Sequence, residues 1–251
     1  MSGGVAVLRS TLFWLVATVM TLAVAIAGLA TLPFHRDVTY RWCISWARGL
    51  MWLMRALCGL DWRILGGASL PPGPLIYALK HQSAWETIAF PALGPPISGV
   101  LKRELLAIPV YGWYMRRLGM VPIDRSAGGA AIRELLRRAK DETARGRSIM
   151  IMPEGTRLPP GRTGRYHPGV AALYTVLGLT VVPVALNSGM FWGRRSLLIR
   201  PGTVTMEFLA PIAPGLERKD FMMALQERIE TASERLRLEA LQDGASGQSA
   251  A

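Results

Sequence analysis

Two short segments hold side chains suited to moving a proton and gripping a phosphate. The first is Lys80-His81-Gln82-Ser83-Ala84-Trp85-Glu86, directly after the apolar run Leu75–Leu79. A histidine at a strand end meets solvent, and an acid five residues on, one turn into the next helix, reaches back to its imidazole. Such a contact fixes the tautomer and favours the charged ring, so the pair can accept a proton from an attacking hydroxyl. That contribution is worth roughly 10²–10⁴ in rate. Taken alone, the spacing fits a helix-start histidine beside a solvated acid better.

The second segment is Ile149-Met150-Ile151-Met152-Pro153-Glu154-Gly155-Thr156-Arg157, a hydrophobic strand that runs into a turn. Gly155 permits backbone angles closed to other residues. Arg157 then projects from the strand end, where a guanidinium can hold a phosphate through two parallel hydrogen bonds. The plainer reading of Glu154 and Arg157 is a local surface ion pair. A third segment runs from Lys102 and Arg103, through Ile108-Pro109-Val110-Tyr111-Gly112, to Ile123-Asp124-Arg125. By itself it describes solvated strand termini. A fourth, Val181-Val182-Pro183-Val184, is an apolar strand with a proline and carries no chemistry of its own.

These segments need a scaffold that brings strand ends together. Short apolar runs at 75–79, 97–101, 119–123, 147–152, 180–186 and 203–208 alternate with helical patterns at 84–92, 104–117, 129–145, 168–178 and 218–240. The alternation predicts an α/β fold, a central and largely buried sheet flanked by helices, with ligands at the strand ends. Gly66-Gly67 and the turn Pro71-Pro72-Gly73-Pro74 separate residues 67–242 from the segment 1–66. Beyond Asp243 the chain is small and polar, so 243–251 is expected to be a disordered tail.

Segment 1–66 reads as a membrane anchor, a transmembrane and interfacial helix pair. No charged side chain occurs from Ser10 to Leu32, enough residues to cross a bilayer roughly 30 Å thick. A signal peptide is the competing reading, but the run is long and Pro33-Phe34-His35 offers no small-residue cleavage site. Residues 41–59 predict an amphipathic helix at the interface. Arg41, Arg48 and Arg55 recur at every seventh position, and Trp42, Trp46 and Trp52 suit the headgroup boundary. A buried helix with an arginine edge is the alternative. Arg36, Arg41, Arg48 and Arg55 follow the span closely, which places the body of the protein on the cytoplasmic side.

The chain has 251 residues, 51% of them hydrophobic, and a formal charge of +12. An anionic membrane or a phosphate-bearing substrate accounts for that charge better than nucleic acid does, given the apolar N-terminus. Cys43 and Cys58 alone make neither a disulfide framework nor a zinc site. No Gly-x-Ser-x-Gly elbow of a serine hydrolase occurs.

In order and content, the four segments resemble the 1-acylglycerol-3-phosphate O-acyltransferase family of glycerolipid acyltransferases, across about residues 76–186. The Pro-Glu-Gly-Thr-Arg block is the most specific, above all downstream of a His-plus-acid block. The resemblance implies that a fatty acyl group passes from acyl-CoA or acyl carrier protein to the sn-2 hydroxyl of lysophosphatidic acid. His81 is then the base and Glu86 its orienting acid. Glu154, Gly155, Thr156 and Arg157 shape the acceptor site, and Lys102, Arg103 and Arg125 join Arg157 at the substrate. No metal or cofactor is implied beyond the acyl donor as co-substrate. The partners are the lysophospholipid, the donor and membrane lipid, with no nucleic acid. A bacterial inner membrane is the expected location, with the catalytic domain on its cytoplasmic face. Two positions depart from the family pattern. Its acid after the histidine is usually aspartate, here Glu86, and His167 stands where a lysine often precedes the glycine.

Overall fold

Side chains alternate across a strand, so a strand apolar at every position has to be covered on both sides. In the structure, a computed structural model that describes residues 3–68, 70–124 and 126–248, strand β2 (Ile76–Leu79) is buried throughout. Leu75, Tyr77 and Leu79 face one apolar layer, and Ile76 and Ala78 face the other. The first layer holds helices α1 (Gly3–Ala27), α2 (Arg36–Cys58) and α3 (Trp85–Leu93). The second holds α5 (Gly128–Ala144), α6 (Gly169–Leu177) and α7 (Arg218–Gln248).

Seven strands form one sheet in the order β1-β7-β6-β2-β5-β3-β4. They are β1 (Leu60–Leu65), β2, β3 (Ile97–Lys102), β4 (Val121–Ile123), β5 (Ser148–Ile151), β6 (Val181–Leu186) and β7 (Gly202–Phe208). β6, β2, β5, β3 and β4 run parallel, so their C-terminal ends share one edge. β7 is antiparallel to β6, and β1 is parallel to β7.

β1 lies inside the segment assigned from sequence to the anchor. Its mixed sequence Leu-Asp-Trp-Arg-Ile-Leu gives a weak strand signal, and its partner β7 is far away in the chain. The single helix expected over 104–117 is two pieces, a 3-10 helix at Arg103–Ala107 and α4 (Tyr111–Arg117). Pro109 interrupts the helical hydrogen bonds between them. Gly112 is packed so closely that a Cβ there would lie 2.1 Å from the Leu106 carbonyl oxygen. At the other end of the chain, the backbone of α7 stays helical through Gln248, past Asp243 where the composition predicts a tail. Residues 249–251 lie outside the described ones.

α1 with the 3-10 turn after it, Gly3–Thr31, is long and apolar enough to cross a membrane. It presents two unlike faces. Leu8, Leu12, Leu15, Val19, Leu22 and Ile26 point outward and stay exposed. The inner face is docked along its length. Ser10 Oγ bonds the Ile199 carbonyl at 3.2 Å, Trp14 Nε1 the Leu197 carbonyl at 2.7 Å, and Phe13 and Ala17 enter the core. α2 lies beside it. Trp42 Nε1 donates to the Val24 carbonyl and Trp46 Nε1 to Thr21 Oγ1, both at 3.1 Å. Two of the three tryptophans assigned from sequence to the headgroup boundary thus also tie α2 to α1 through their indole N–H groups. Trp52 is the exposed one.

Candidate active site

His81 follows β2, and Glu86 sits in the first turn of α3, as the spacing requires. The His81 Nδ1 to Glu86 Oε1 distance is 2.9 Å. Glu86 is fully buried, and every bond to its carboxylate comes from a neutral donor or from the imidazole. Oε1 also accepts the backbone N–H of Gln82 at 2.8 Å and of Ser83 at 2.7 Å, while Oε2 accepts Ser188 Oγ at 2.8 Å. Oε1 already accepts two backbone N–H groups, which fits the tautomer in which Nδ1 donates to it. In that neutral tautomer the lone pair is on Nε2, which has no protein partner among the described residues. The His81 side chain is 13% exposed, enough for a small group to reach it.

Ser188 was not singled out in the sequence. It follows β6, the strand beside β2, and only the pairing of those strands reveals its proximity to Glu86. Gln82 strengthens the same junction by accepting the Gly189 N–H at 3.1 Å.

The Pro-Glu-Gly-Thr-Arg turn follows β5, on the other flank of β2. Gly155 adopts φ +63°, a left-handed conformation that suits glycine, and its N–H bonds the Met152 carbonyl at 3.0 Å. Glu154, read from the sequence as shaping the acceptor site, is buried. Its Oε1 lies 2.6 Å from Lys80 Nζ, and its Oε2 accepts the His81 backbone N–H at 2.9 Å. Burial pushes its carboxyl above the ordinary range, against the pull of Lys80. Beyond the turn, Thr156 is exposed and Arg157 half-buried. The chain closes back on the base through Leu158, whose N–H bonds the His81 carbonyl at 2.9 Å. Arg194, on the loop after β6, reaches the Arg157 carbonyl at 3.3 Å. Among the described residues no carboxylate pairs with the Arg157 side chain.

Lys102 ends β3 and Arg103 opens the 3-10 helix, both at the same sheet edge. With β5 between them, β2 and β3 are roughly 10 Å apart, two strand spacings. Both cations are exposed and loosely paired, Lys102 with Glu104 at 3.0 Å and Arg103 with Asp124 at 3.5 Å. Exposed pairs of this kind are weak enough for an anionic ligand to displace. Arg125 lies outside the described residues.

Neither cysteine competes as a nucleophile, since burial pushes Cys43 and Cys58 up to about 11. Among the described residues, no group of three His, Cys, Asp or Glu side chains is placed to hold a metal ion.

A family model described as Acyltransferase matches residues 63–187. A 1-acyl-sn-glycerol-3-phosphate acyltransferase of Pseudomonas aeruginosa is 36% identical over 203 residues, which are 78% of this chain and 77% of that protein. The chain belongs to the 1-acyl-sn-glycerol-3-phosphate acyltransferase family. A lyso-ornithine lipid O-acyltransferase of the same organism is 26% identical over 72% of this chain and 76% of its own. The crystal structure of a 1-acyl-sn-glycerophosphate acyltransferase from Thermotoga maritima superimposes with a TM-score of 0.75. It is 20% identical, covers 92% of this chain and 95% of its own, and has the same fold. The acyltransferase match begins at Arg63, inside β1, and ends at Asn187, next to Ser188.

Proposed function

We propose that this acyltransferase moves a fatty acyl group from a thioester, acyl-CoA or acyl carrier protein, to the sn-2 hydroxyl of lysophosphatidic acid, forming phosphatidic acid. The observation that carries the chemistry is the 2.9 Å contact between His81 Nδ1 and a Glu86 carboxylate held by three further donors. The acceptor hydroxyl gives its proton to Nε2 as its oxygen attacks the thioester carbonyl. The tetrahedral adduct collapses with loss of the thiolate, which takes the proton back from the imidazolium. Atoms and charge balance with two substrates and one side chain, so no acyl-enzyme, metal or cofactor is needed. Glu86 keeps its charge through the cycle and stabilises the transient imidazolium.

The acceptor phosphate is assigned to Arg157, with Lys102 and Arg103 across the β5 strand end. A guanidinium that no carboxylate pairs with among the described residues, with two weakly paired cations at the same edge of the sheet, fits a dianionic headgroup. The greater likeness to the lysophosphatidic acid enzyme than to the lyso-ornithine one supports the same acceptor. The outer stripe of α1 is the lipid-contacting surface, which brings the enzyme to its substrate. With Arg36, Arg41, Arg48 and Arg55 behind that helix, the body lies on the cytoplasmic face of a bacterial inner membrane.

Membranes containing the protein, offered lysophosphatidic acid and lyso-ornithine lipid with either donor, test this reading. Phosphatidic acid should form at a rate far above that of acylated ornithine lipid. The reverse preference would remove the phosphate assignment and leave the base in place.

A further inference from the structure

Directly beneath His81, on the opposite face of the sheet, lies a second charge cluster that the proposed chemistry does not use. Strand alternation turns Lys80 away from the His81 side and toward α7, where it is 1% exposed. Its ammonium meets Glu154 Oε1 at 2.6 Å and both oxygens of Glu230, on α7, at 2.8 and 2.7 Å. It also donates to the Arg162 carbonyl at 3.1 Å. Glu230 in turn accepts Tyr166 Oη at 2.9 Å and Thr163 Oγ1 at 3.1 Å. Both donors lie on the chain that leaves the Arg157 turn. One carboxylate thus gathers the end of β2 and the loop after β5.

Burying two carboxylates and an ammonium is costly, and apolar replacement of such a group is often neutral or stabilising. Anchoring α7 alone needs no charges, because Phe221, Leu225 and Ile229 already pack it on the sheet. The cluster reaches the base most directly through Glu154. Glu154 Oε2 holds the His81 backbone N–H, so the position of Glu154 sets where the imidazole hangs relative to Glu86. Lys80 sets the position of Glu154, and Glu230 sets that of Lys80.

We infer that Glu230 is a positioning residue for the base, acting on His81 through Lys80 and Glu154. The inference rests on His81 being the base. Glu230 lies on the face of the sheet opposite the His81 side chain, so its removal changes how well the base is aimed and not how well either substrate binds.

The test uses the full chain in membranes with lysophosphatidic acid and acyl-CoA. Glu230→Gln should lower kcat about tenfold, the size of one lost charge-assisted contact, with each KM within about twofold. Glu154→Gln should lower kcat at least as far, and the double variant should be no slower than Glu154→Gln alone, since the two residues lie on one path. Losses that multiply, a kcat at the wild-type level, or a raised KM at unchanged kcat would each overturn the inference. Tyr166→Phe removes one bond to Glu230 without changing any charge, and covers the case in which Glu230→Gln does not fold. It should lower kcat about threefold at constant KM, by the loss of one neutral donor to a charge, and full activity would count against Glu230. His81→Ala run alongside separates the two claims. An active His81→Ala protein would remove the base reading itself. An inactive one beside a fully active Glu230→Gln protein would remove only this inference.

Discussion

Glu86 and Glu142 are both buried carboxylates, set at opposite edges of one sheet, and their surroundings differ in kind. Glu142, near the end of α5, lies where β3 and β5 begin. Arg36 Nη2 reaches it at 2.6 Å, Arg145 Nη1 at 2.9 Å and Ser98 Oγ at 2.9 Å, with Arg147 Nε at 3.8 Å. Burial pushes its carboxyl up, but the hydrogen bonds from Arg36 and Ser98 outweigh that and hold it below the ordinary range. Among the described residues no lysine or arginine pairs with Glu86. Two backbone N–H groups, one hydroxyl and the imidazole satisfy it. A carboxylate already cancelled by guanidinium groups ties elements together and has no charge to spare. One satisfied by dipoles keeps its full charge for an ion that exists only during the reaction. The first arrangement is a brace between the α2 start and the sheet, and the second suits the role proposed for Glu86 beside the base.

The contrast fails most plainly if His81 is dispensable. His81→Ala should cut turnover with lysophosphatidic acid by about 10³-fold, within the range of general-base catalysis, with membrane attachment unchanged. Glu86→Gln keeps the shape and removes the charge, and kcat should fall roughly 10²-fold with little change in KM. A small loss would place Glu86 beside Glu142 as structure. Arg157→Lys should raise the acceptor KM about tenfold at nearly constant kcat, because an ammonium cannot reproduce the two-pronged bond. An unchanged KM would detach Arg157 from the phosphate. Ser188→Ala should lower kcat roughly fivefold, the effect of one hydrogen bond to a charged group.

Glu142→Gln should have the smallest effect on catalysis, none per folded molecule, while lowering stability by about 3 kcal/mol through the unpaired arginines left behind. Its pH signature is separate. A carboxyl depressed in the folded state stabilises the fold above its ordinary value near 4.5, and that stabilisation is lost as pH falls through the folded value. Acid unfolding followed by circular dichroism should therefore start at lower pH in the wild type than in the variant. A drop in kcat equal to that of Ser188→Ala would erase the difference between the two edges.

The parts legible in the sequence are those whose signal is local. Short apolar runs and the helical pattern after them place β2, β5, β6 and α3 within a residue or so, and the five-residue step from His81 to Glu86 anticipates their contact. From its own segment Glu154 reads as part of the acceptor site or as half of a surface ion pair with Arg157, since nothing local marks it as enclosed. Its neighbours Lys80 and Glu230, which turn it inward, come from β2 and α7. β1 was missed for the same reason, since its register is supplied by β7 and not by its own pattern.

By itself, then, the sequence determined the reaction class. The residue types and order that transfer an acyl group are written in short motifs whose chemistry depends on local spacing. It also determined that one end of the chain is apolar enough for lipid. The tertiary structure alone decided which charged groups stay exposed and which are enclosed. Enclosure depends on strand order, and strand order brings together side chains from β2, the β5 and β6 loops and α7 that no linear spacing relates. It decided as well that α1 docks along its inner face, because the donors and acceptors that hold it lie at the far side of the fold, at Leu197 and Ile199.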